Sequence, residues 1–241
     1  YYIECKTDSD LEFAFNFVKK NKVKFLVLGE GTNVVFTKPF EGLIIKNVFK
    51  KEKKIYKNKV KVSSGYNWDR FVLFCIKNSL YGLENLSGIP GTVGAGPIQN
   101  IGAYGEEIAN YIEHIEVFNF KTGNVEILNN MNCNFEYRNS FFKKNKHLFI
   151  KNVFFKLKKN FIANSSYQDL RVYEFKKACD LRKSILKIRN RKLENYLTKP
   201  NVGSFFKNPI IKKQDLSKLL KLDADLKFYN HNKLIKISAA W

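Results

Sequence analysis

Apolar and polar positions along this chain switch between a period near 3.6 residues and a period of 2, and the switches predict a mixed α and β protein. In TDSDLEFAFNFVKKNK (7–22), Leu11, Ala14, Phe15 and Val18 share one helical face behind Asp and Ser cap candidates, which predicts a helix. KFLVLGEGTNVVF (24–36) reads as strand, Gly-rich turn and strand. GLIIKN (42–47) predicts another strand, and KIYKNKVKVSS (54–64) a hairpin around Lys57-Asn58. Helical spacing returns in NWDRFVLFCIKNSL (67–80), with Trp68, Phe71, Val72 and Cys75 in register. IEHIEVFNFKTGNVEIL (112–128) predicts a hairpin turned at Lys121-Thr122-Gly123-Asn124, and HLFIKNVFFKL (147–157) a strand. A looser segment with Tyr167 then leads to a long cationic helix over 172–193. There is no internal repeat and no long linker.

At 241 residues and 44% hydrophobic composition the chain can bury a real core, in one large or two modest domains. Forty-three Lys and Arg against 22 Asp and Glu give a net charge of +21, which favours anionic partners. The excess is mostly Lys, scattered among Asn and strand formers. It lacks the Arg-rich helix or aromatic platform of a nucleic-acid reader, so compositional drift accounts for it better than a nucleic-acid footprint. Cys5, Cys75, Cys133 and Cys179 are far apart, and His114, His147 and His231 are isolated, so the sequence predicts neither a disulfide framework nor a metal site. No apolar run approaches the roughly 20 residues that span a bilayer. The first ten residues are no signal peptide, and the absence of an initial Met is read as a lost native N-terminus.

Candidate chemistry lies between the periodic segments. GEGTN (29–33) fails as a dinucleotide fingerprint, since Val34, Val35 and Phe36 favour a strand where a helix is required; such a turn still offers backbone N–H groups to a phosphate. IPGTVGAGPIQNIGAYGEEI (89–108) concentrates five of thirteen glycines with Thr92, Gln99, Asn100 and Tyr104. Glycines permit close backbone approach, and the polar groups suit a heteroaromatic ring or diphosphate held by neutral hydrogen bonds. NFEYRNSFFK (134–143) sets Arg138 among aromatics as a candidate carboxylate clamp, and KPNVGSFFKNP (199–209) sets Ser204 after a Gly as a candidate proton donor. The lack of a G-x-S-x-G elbow and of a suitable His argues against a serine hydrolase.

LGEGTNVVF, GLENLSGIPGTVGAGPIQNIGAYGEE, FEYRNSFFK and VGSFFKNP, in this order, closely resemble the UDP-N-acetylenolpyruvoylglucosamine reductase family over nearly the whole chain. Asn139 departs from the Asp common after the Tyr-Arg pair, and Gln168 from a usual Gly. The resemblance implies an α+β fold of the FAD-binding, vanillyl-alcohol-oxidase-like (PCMH) type with an incomplete C-terminal α+β substrate domain. The implied division is an FAD-binding region over 1–193, in two subdomains of about 1–65 and 66–193, followed by the start of the substrate domain over 194–241.

It also implies FAD as cofactor, NADPH as co-substrate and UDP-N-acetylglucosamine enolpyruvate as substrate, in an NADPH-dependent UDP-N-acetylmuramate dehydrogenase of peptidoglycan synthesis. A cytoplasmic monomer, with no nucleic-acid or membrane partner, is expected. Carried over by motif, Gly29, Gly31, Thr32, Asn33, Pro90, Gly91, Thr92, Gly94, Gln99 and Asn100 are cofactor candidates. Arg138 stabilises charge on the substrate carboxylate after hydride reaches C3, and Ser204 protonates C2. Lys192 tunes that serine and touches diphosphate; Tyr104, Tyr167, Asn208 and Tyr229 lie near the substrate nucleotide, and Arg189 is a phosphate candidate whose helix reads equally well as a solvated face.

The family's late glutamate, which partners the Arg and Ser, has no counterpart before the end at KLIKISAAW, so the sequence reads as a fragment of a full enzyme or a decayed gene product. The rival readings are another FAD-binding oxidase of the same superfamily and, from charge alone, a basic nucleic-acid-binding protein.

Overall fold

The structure, a computed structural model, describes residues 1–49, 52–195, 198–203, 206–231, 233–239 and 241. The chain divides into two compact units, Tyr1–Pro200 and Asn201–Trp241.

In the first unit, β1 (Tyr2–Cys5), β2 (Phe25–Leu28) and β3 (Leu43–Asn47) form a parallel sheet in the order β1-β3-β2. The crossover from β1 to β2, which run parallel on either side of β3, is α1 (Asp8–Asn21). Its N-cap is Thr7, one residue before the Asp and Ser expected from sequence. Thr7 Oγ1 accepts from Asp10 N–H (3.2 Å) while Asp10 Oδ2 accepts from Thr7 N–H (2.8 Å), a reciprocal capping box. Leu11 and Ala14 point from α1 into a core shared with Ile45, Phe49, Phe118 and Phe149.

The larger sheet has five antiparallel strands: β4 (Lys53–Tyr56), β5 (Lys59–Ser63), β8 (Ile112–Asn119), β9 (Val125–Asn129) and β10 (Leu148–Lys156), in the order β4-β5-β10-β8-β9. The small hairpin β6 (Gly102–Ala103) and β7 (Glu106–Glu107) falls between them in sequence. β5 pairs directly with β10, so this sheet draws strands from both sides of position 65. α2 (Trp68–Lys77), capped by Asn67, lays Trp68, Phe71, Val72 and Cys75 on the main core. The Trp68 indole N–H donates to Leu86 O at 2.8 Å, which satisfies its one buried polar group. α3 (Phe141–Lys144) is a single turn, and α4 (Ala178–Lys192) presents Leu181, Arg182, Ile185 and Ile188 as its inner stripe.

Two predicted elements differ. Val34, Val35 and Phe36 form no strand: they are 42%, 59% and 47% exposed and pair with no other strand, so β propensity there is not matched by a partner. The cationic helix begins at Ala178 rather than near 172, because a 3₁₀ turn over Gln168–Leu170 and a Tyr173–Phe175 ring contact occupy the chain ahead of it.

The second unit holds β11 (Ile210–Lys212), α5 (Lys213–Leu222), β12 (Phe228–His231) and β13 (Leu234–Ile237), with sheet order β11-β13-β12. Among the described residues no helix is long and apolar enough to cross a membrane.

Candidate functional site

The turn after β2 carries GEGTN. It closes through Val34 N–H to Gly31 O (3.3 Å) with Gly31 at φ 77°, and the N–H groups of Glu30, Gly31, Thr32 and Asn33 make no hydrogen bond among the described residues. Four adjacent unused donors suit an anion.

The Gly-rich stretch is pinned from behind by the end of β5 and the start of α2. Trp68 N–H donates to Gly91 O, Val93 N–H to Tyr66 O and Gly94 N–H to Ser64 O, at 2.9–3.0 Å. A methyl on Gly94 would sit 2.4 Å from Ser64 Cβ, so only glycine allows this approach. Gly91, at φ 109°, faces the other turn: a methyl there would lie 3.5 Å from Thr32 Oγ1, and one on Gly29 would lie 3.5 Å from Thr92 Oγ1. Asn33 Nδ2 donates across the same seam to Gln99 Oε1 (3.1 Å).

The structure thus brings Gly29, Thr32, Asn33, Gly91, Thr92 and Gln99 together. Thr92 Oγ1 is buried with no hydrogen-bond partner among the described residues. An orphaned hydroxyl beside unused N–H groups fits a polar, anionic cofactor such as FAD. Asn100 behaves differently. Its side chain is consumed inside the protein, donating to Glu107 Oε2 (2.7 Å) and Glu136 O (3.1 Å) and accepting from Ala109 N–H (3.2 Å).

Those bonds tie the Gly-rich stretch to the turn of Arg138. Glu136 and Asn139 exchange two backbone hydrogen bonds of 3.1 Å, leaving Tyr137 and Arg138 at the tip, and Ser140 Oγ donates to Ile98 O (2.6 Å). Asn139 Nδ2 donates to Glu136 Oε2 (3.0 Å). Asn100, Tyr104 and Arg138 all have left-handed backbone, at φ 50°, 51° and 50°. Such strain in non-glycine residues concentrates where surrounding bonds over-determine a functional position.

Tyr104 gathers the other substrate candidates of the first unit. Its ring meets Tyr167 edge-on at 5.1 Å, and its hydroxyl lies within the electrostatic reach of the Arg189 guanidinium. Burial raises the Tyr104 pKa, with the Arg189 charge opposing. Burial lowers that of Arg189, while Tyr104 and Asp69 support its charge. Lys192 Nζ lies 2.5 Å from Asp169 Oδ2 and 5.4 Å from the Tyr167 ring centre. Burial pulls the Lys192 pKa down, but the bond to Asp169 and further contacts outweigh it, leaving it raised. Arg189 therefore sits half-buried among these partners, not on the solvated face that sequence also allowed.

Ser204 lies outside the described residues. Asn208 and Tyr229 belong to the second unit: Asn208 Oδ1 accepts from Ala239 N–H (3.0 Å), and Tyr229 faces Lys236 across β12 and β13. Sequence reasoning missed Asn85, Glu84, Asp69 and Arg182. Asn85 Nδ2 donates to Tyr104 O and Asn164 O; Asp69 and Arg182 form a paired-fork ion pair across 113 residues of sequence. A polar cavity of about 260 Å³ is lined by Glu84, Asn85, Glu106, Tyr111, Lys158 and Asn164, among others.

The FAD binding domain family matches residues 1–129. The UDP-N-acetylenolpyruvoylglucosamine reductase of Buchnera aphidicola subsp. Baizongia pistaciae is 39% identical over 248 residues, spanning 99% of this chain and 74% of the relative. The chain belongs to the UDP-N-acetylenolpyruvoylglucosamine reductase family. The reductases of Pseudoalteromonas translucida and Bdellovibrio bacteriovorus are 41% and 34% identical; they cover 91% and 100% of this chain, which spans 67% and 75% of their lengths. Among solved structures, UDP-N-acetylenolpyruvylglucosamine reductase from Thermus caldophilus aligns with TM-score 0.65 and 21% identity, over 97% of this chain and 80% of that one. 6-Hydroxy-D-nicotine oxidase from Arthrobacter nicotinovorans aligns with TM-score 0.50 and 14% identity, over 65% of this chain and 36% of that one. At these identities the two structures speak for the fold of this reductase-family chain, which is the expected FAD-binding, vanillyl-alcohol-oxidase-like α+β fold.

Proposed function

We propose that the chain acts as an FAD-dependent reductase of UDP-N-acetylglucosamine enolpyruvate, supplying UDP-N-acetylmuramate for peptidoglycan, with NADPH as electron donor. The observation that carries this reading is the seam between the two Gly-rich stretches, where Gly29 faces Thr92 and Gly91 faces Thr32 beside an orphaned buried hydroxyl.

The N–H groups of residues 30–33 hold the cofactor's diphosphate, and Thr92 with the backbone around Gly91 fixes its ring system. Bound there, FAD supplies hydride transfer from the nicotinamide to C3 of the enolpyruvyl ether. Arg138, on its strained turn, binds the substrate carboxylate and stabilises the negative charge that develops on it, while Ser204 delivers a proton to C2. Tyr104, Tyr167, Arg189 and Lys192 hold the nucleotide diphosphate, and the family motif assigns Asn208 and Tyr229 to the same nucleotide. The FAD-binding region is assigned to 1–193 and the substrate segment to 194–241.

Absorption spectra of the purified chain after incubation with FAD and desalting test the proposal. Retained flavin bands that bleach with NADPH and recover on adding the enolpyruvyl nucleotide are expected; a folded, colourless protein refutes cofactor binding.

A further inference from the structure

We propose that Asp69 and Arg182 form a positioning pair that fixes the Arg189 guanidinium against Tyr104 through the backbone of Gly88, and so sets affinity for the substrate diphosphate. The proposal rests on the nucleotide-binding role given above to Arg189 and Tyr104.

Asp69 lies in the first turn of α2, Arg182 and Arg189 on α4. Seven residues separate the two arginines, about two helical turns, so they share a face. Arg182 is 9% exposed and binds Asp69 with both arms of its fork, Nη1 to Oδ1 at 2.6 Å and Nη2 to Oδ2 at 2.7 Å. The same Oδ1 accepts from Gly88 N–H (2.6 Å), and Gly88 O accepts from Arg189 Nε (3.1 Å). Arg189 and Tyr104 act on each other electrostatically, the guanidinium charge opposing the burial that raises the tyrosine pKa. One carboxylate thereby immobilises a backbone residue whose two polar groups face opposite ways, one to Asp69 and one to Arg189.

Gly88 suits this link because its φ of 72° is glycine-favoured and a methyl there would lie 2.7 Å from Leu186 Cδ2 and 3.2 Å from Arg189 Cδ. Holding Nε leaves the Nη groups of Arg189 to face an anion, and the planar fork then has one orientation rather than several. Asp69 also carries the negative charge beside two inward-facing cations. Burial alone would raise its pKa, but the bonds from Arg182 and Gly88 hold it below the usual carboxylate range. The pair itself touches neither flavin nor substrate candidates, so its effect belongs in binding and not in the chemical step.

The test is Asp69→Asn in the full chain loaded with FAD. Asparagine keeps an acceptor for Gly88 N–H while removing the charge and the matched fork. UDP affinity is read from perturbation of the flavin spectrum, and steady-state kinetics give the rest. Expected are a Kd for UDP and a KM for the enolpyruvyl nucleotide raised about tenfold, as for loss of one charge-assisted hydrogen bond, with kcat within about twofold. Adding Asp69→Asn to Arg189→Lys is expected to cost little more than Arg189→Lys alone, because both act through one guanidinium.

Should Asp69→Asn not retain FAD, Arg182→Lys, which keeps the charge and loses the fork, carries the same expectations at smaller size. A parent that responds to UDP while both variants match it, or additive effects in the double variant, overturns the positioning pair alone. A parent holding FAD but showing neither UDP response nor turnover overturns the proposed reaction and this proposal with it.

Discussion

The side-chain amide of Asn85 sits 2.7 Å from the carbonyl oxygen of Tyr104, and from the same nitrogen it donates to Asn164 O at 2.9 Å. One buried amide thus ties the left-handed Tyr104 turn to the segment that carries Tyr167. Asn164 closes the arrangement by donating to Gly105 O (3.1 Å). Asn85→Ala strands two carbonyls and is expected to lower stability by about 1–3 kcal/mol, measured by urea unfolding. Weaker nucleotide binding should accompany the loss even where FAD is retained.

Thr92→Val separates stability from cofactor affinity. The threonine hydroxyl is buried and unpartnered, so an apolar isostere should leave the cofactor-free protein as stable or more so. The same change removes a group aimed at the seam, and FAD affinity should fall. Thermal unfolding with and without FAD reads both effects; a parallel fall in both sinks the assignment of Thr92 to the cofactor.

Gly94→Ala and Gly91→Ala should fail for different reasons. The first drives a methyl to 2.4 Å from Ser64 Cβ, where neither backbone can retreat, and should destabilise by about 1–3 kcal/mol or more. The second has room but is forced to φ 109°, so it should cost less stability and chiefly disturb the face that Gly91 turns toward Thr32. Chemical denaturation and FAD titration of both variants rank the two effects.

Glu84 sets a pH dependence. Its Oε2 accepts from Gly82 N–H (2.8 Å), its Oε1 is buried without a hydrogen-bond partner among the described residues, and burial raises its pKa, with Glu106 adding to the shift and Lys158 opposing it. A carboxyl that holds its proton more tightly when folded favours the folded state at low pH. That contribution declines as pH climbs from the unfolded value of 4.5 through the folded one. Glu84→Gln should remove that slope and leave the protein relatively more stable at neutral pH. Unfolding free energy against pH, in parent and variant, checks the sign.

Arg138→Lys keeps a cation but loses the planar fork. Under the proposed reaction, kcat should fall about 100-fold or more with FAD content unchanged. Single-turnover reoxidation of the reduced protein by the enolpyruvyl nucleotide isolates that step.

Periodicity made the regular elements legible. α2 follows from Asn67 and the Trp68, Phe71, Val72, Cys75 register, and the β4–β5 turn from Lys57-Asn58, where Lys57 takes φ 55°. Residues 34–36 misled because propensity says nothing about whether a neighbouring strand is present. Helical spacing places the start of the long basic helix too early because Val172 and Phe175 continue the stripe of Ala178, Leu181 and Ile185, while Phe175 packs on Tyr173 instead.

The seam at Gly91 was visible as glycine density and family motif. Its buttresses were not. Asp69 to Arg182, and Asn85 to Asn164, join positions 113 and 79 residues apart through individual side chains, which leave no local pattern. Asn100 shows the converse: a polar residue in a binding motif whose amide is wholly absorbed by its own scaffold.

The chain's two tryptophans fall one to each compact unit. Trp68 is 1% exposed and starts the helix whose cap residue, Asn67, bridges to Thr92, whereas Trp241 is 55% exposed, with its indole N–H on Asp223. Their fluorescence should differ accordingly, blue-shifted for the first and red-shifted for the second. The protein is thereby its own two-channel optical reporter, able to show in one emission spectrum which unit loosens first under denaturant and whether an added chromophore quenches the buried indole by energy transfer.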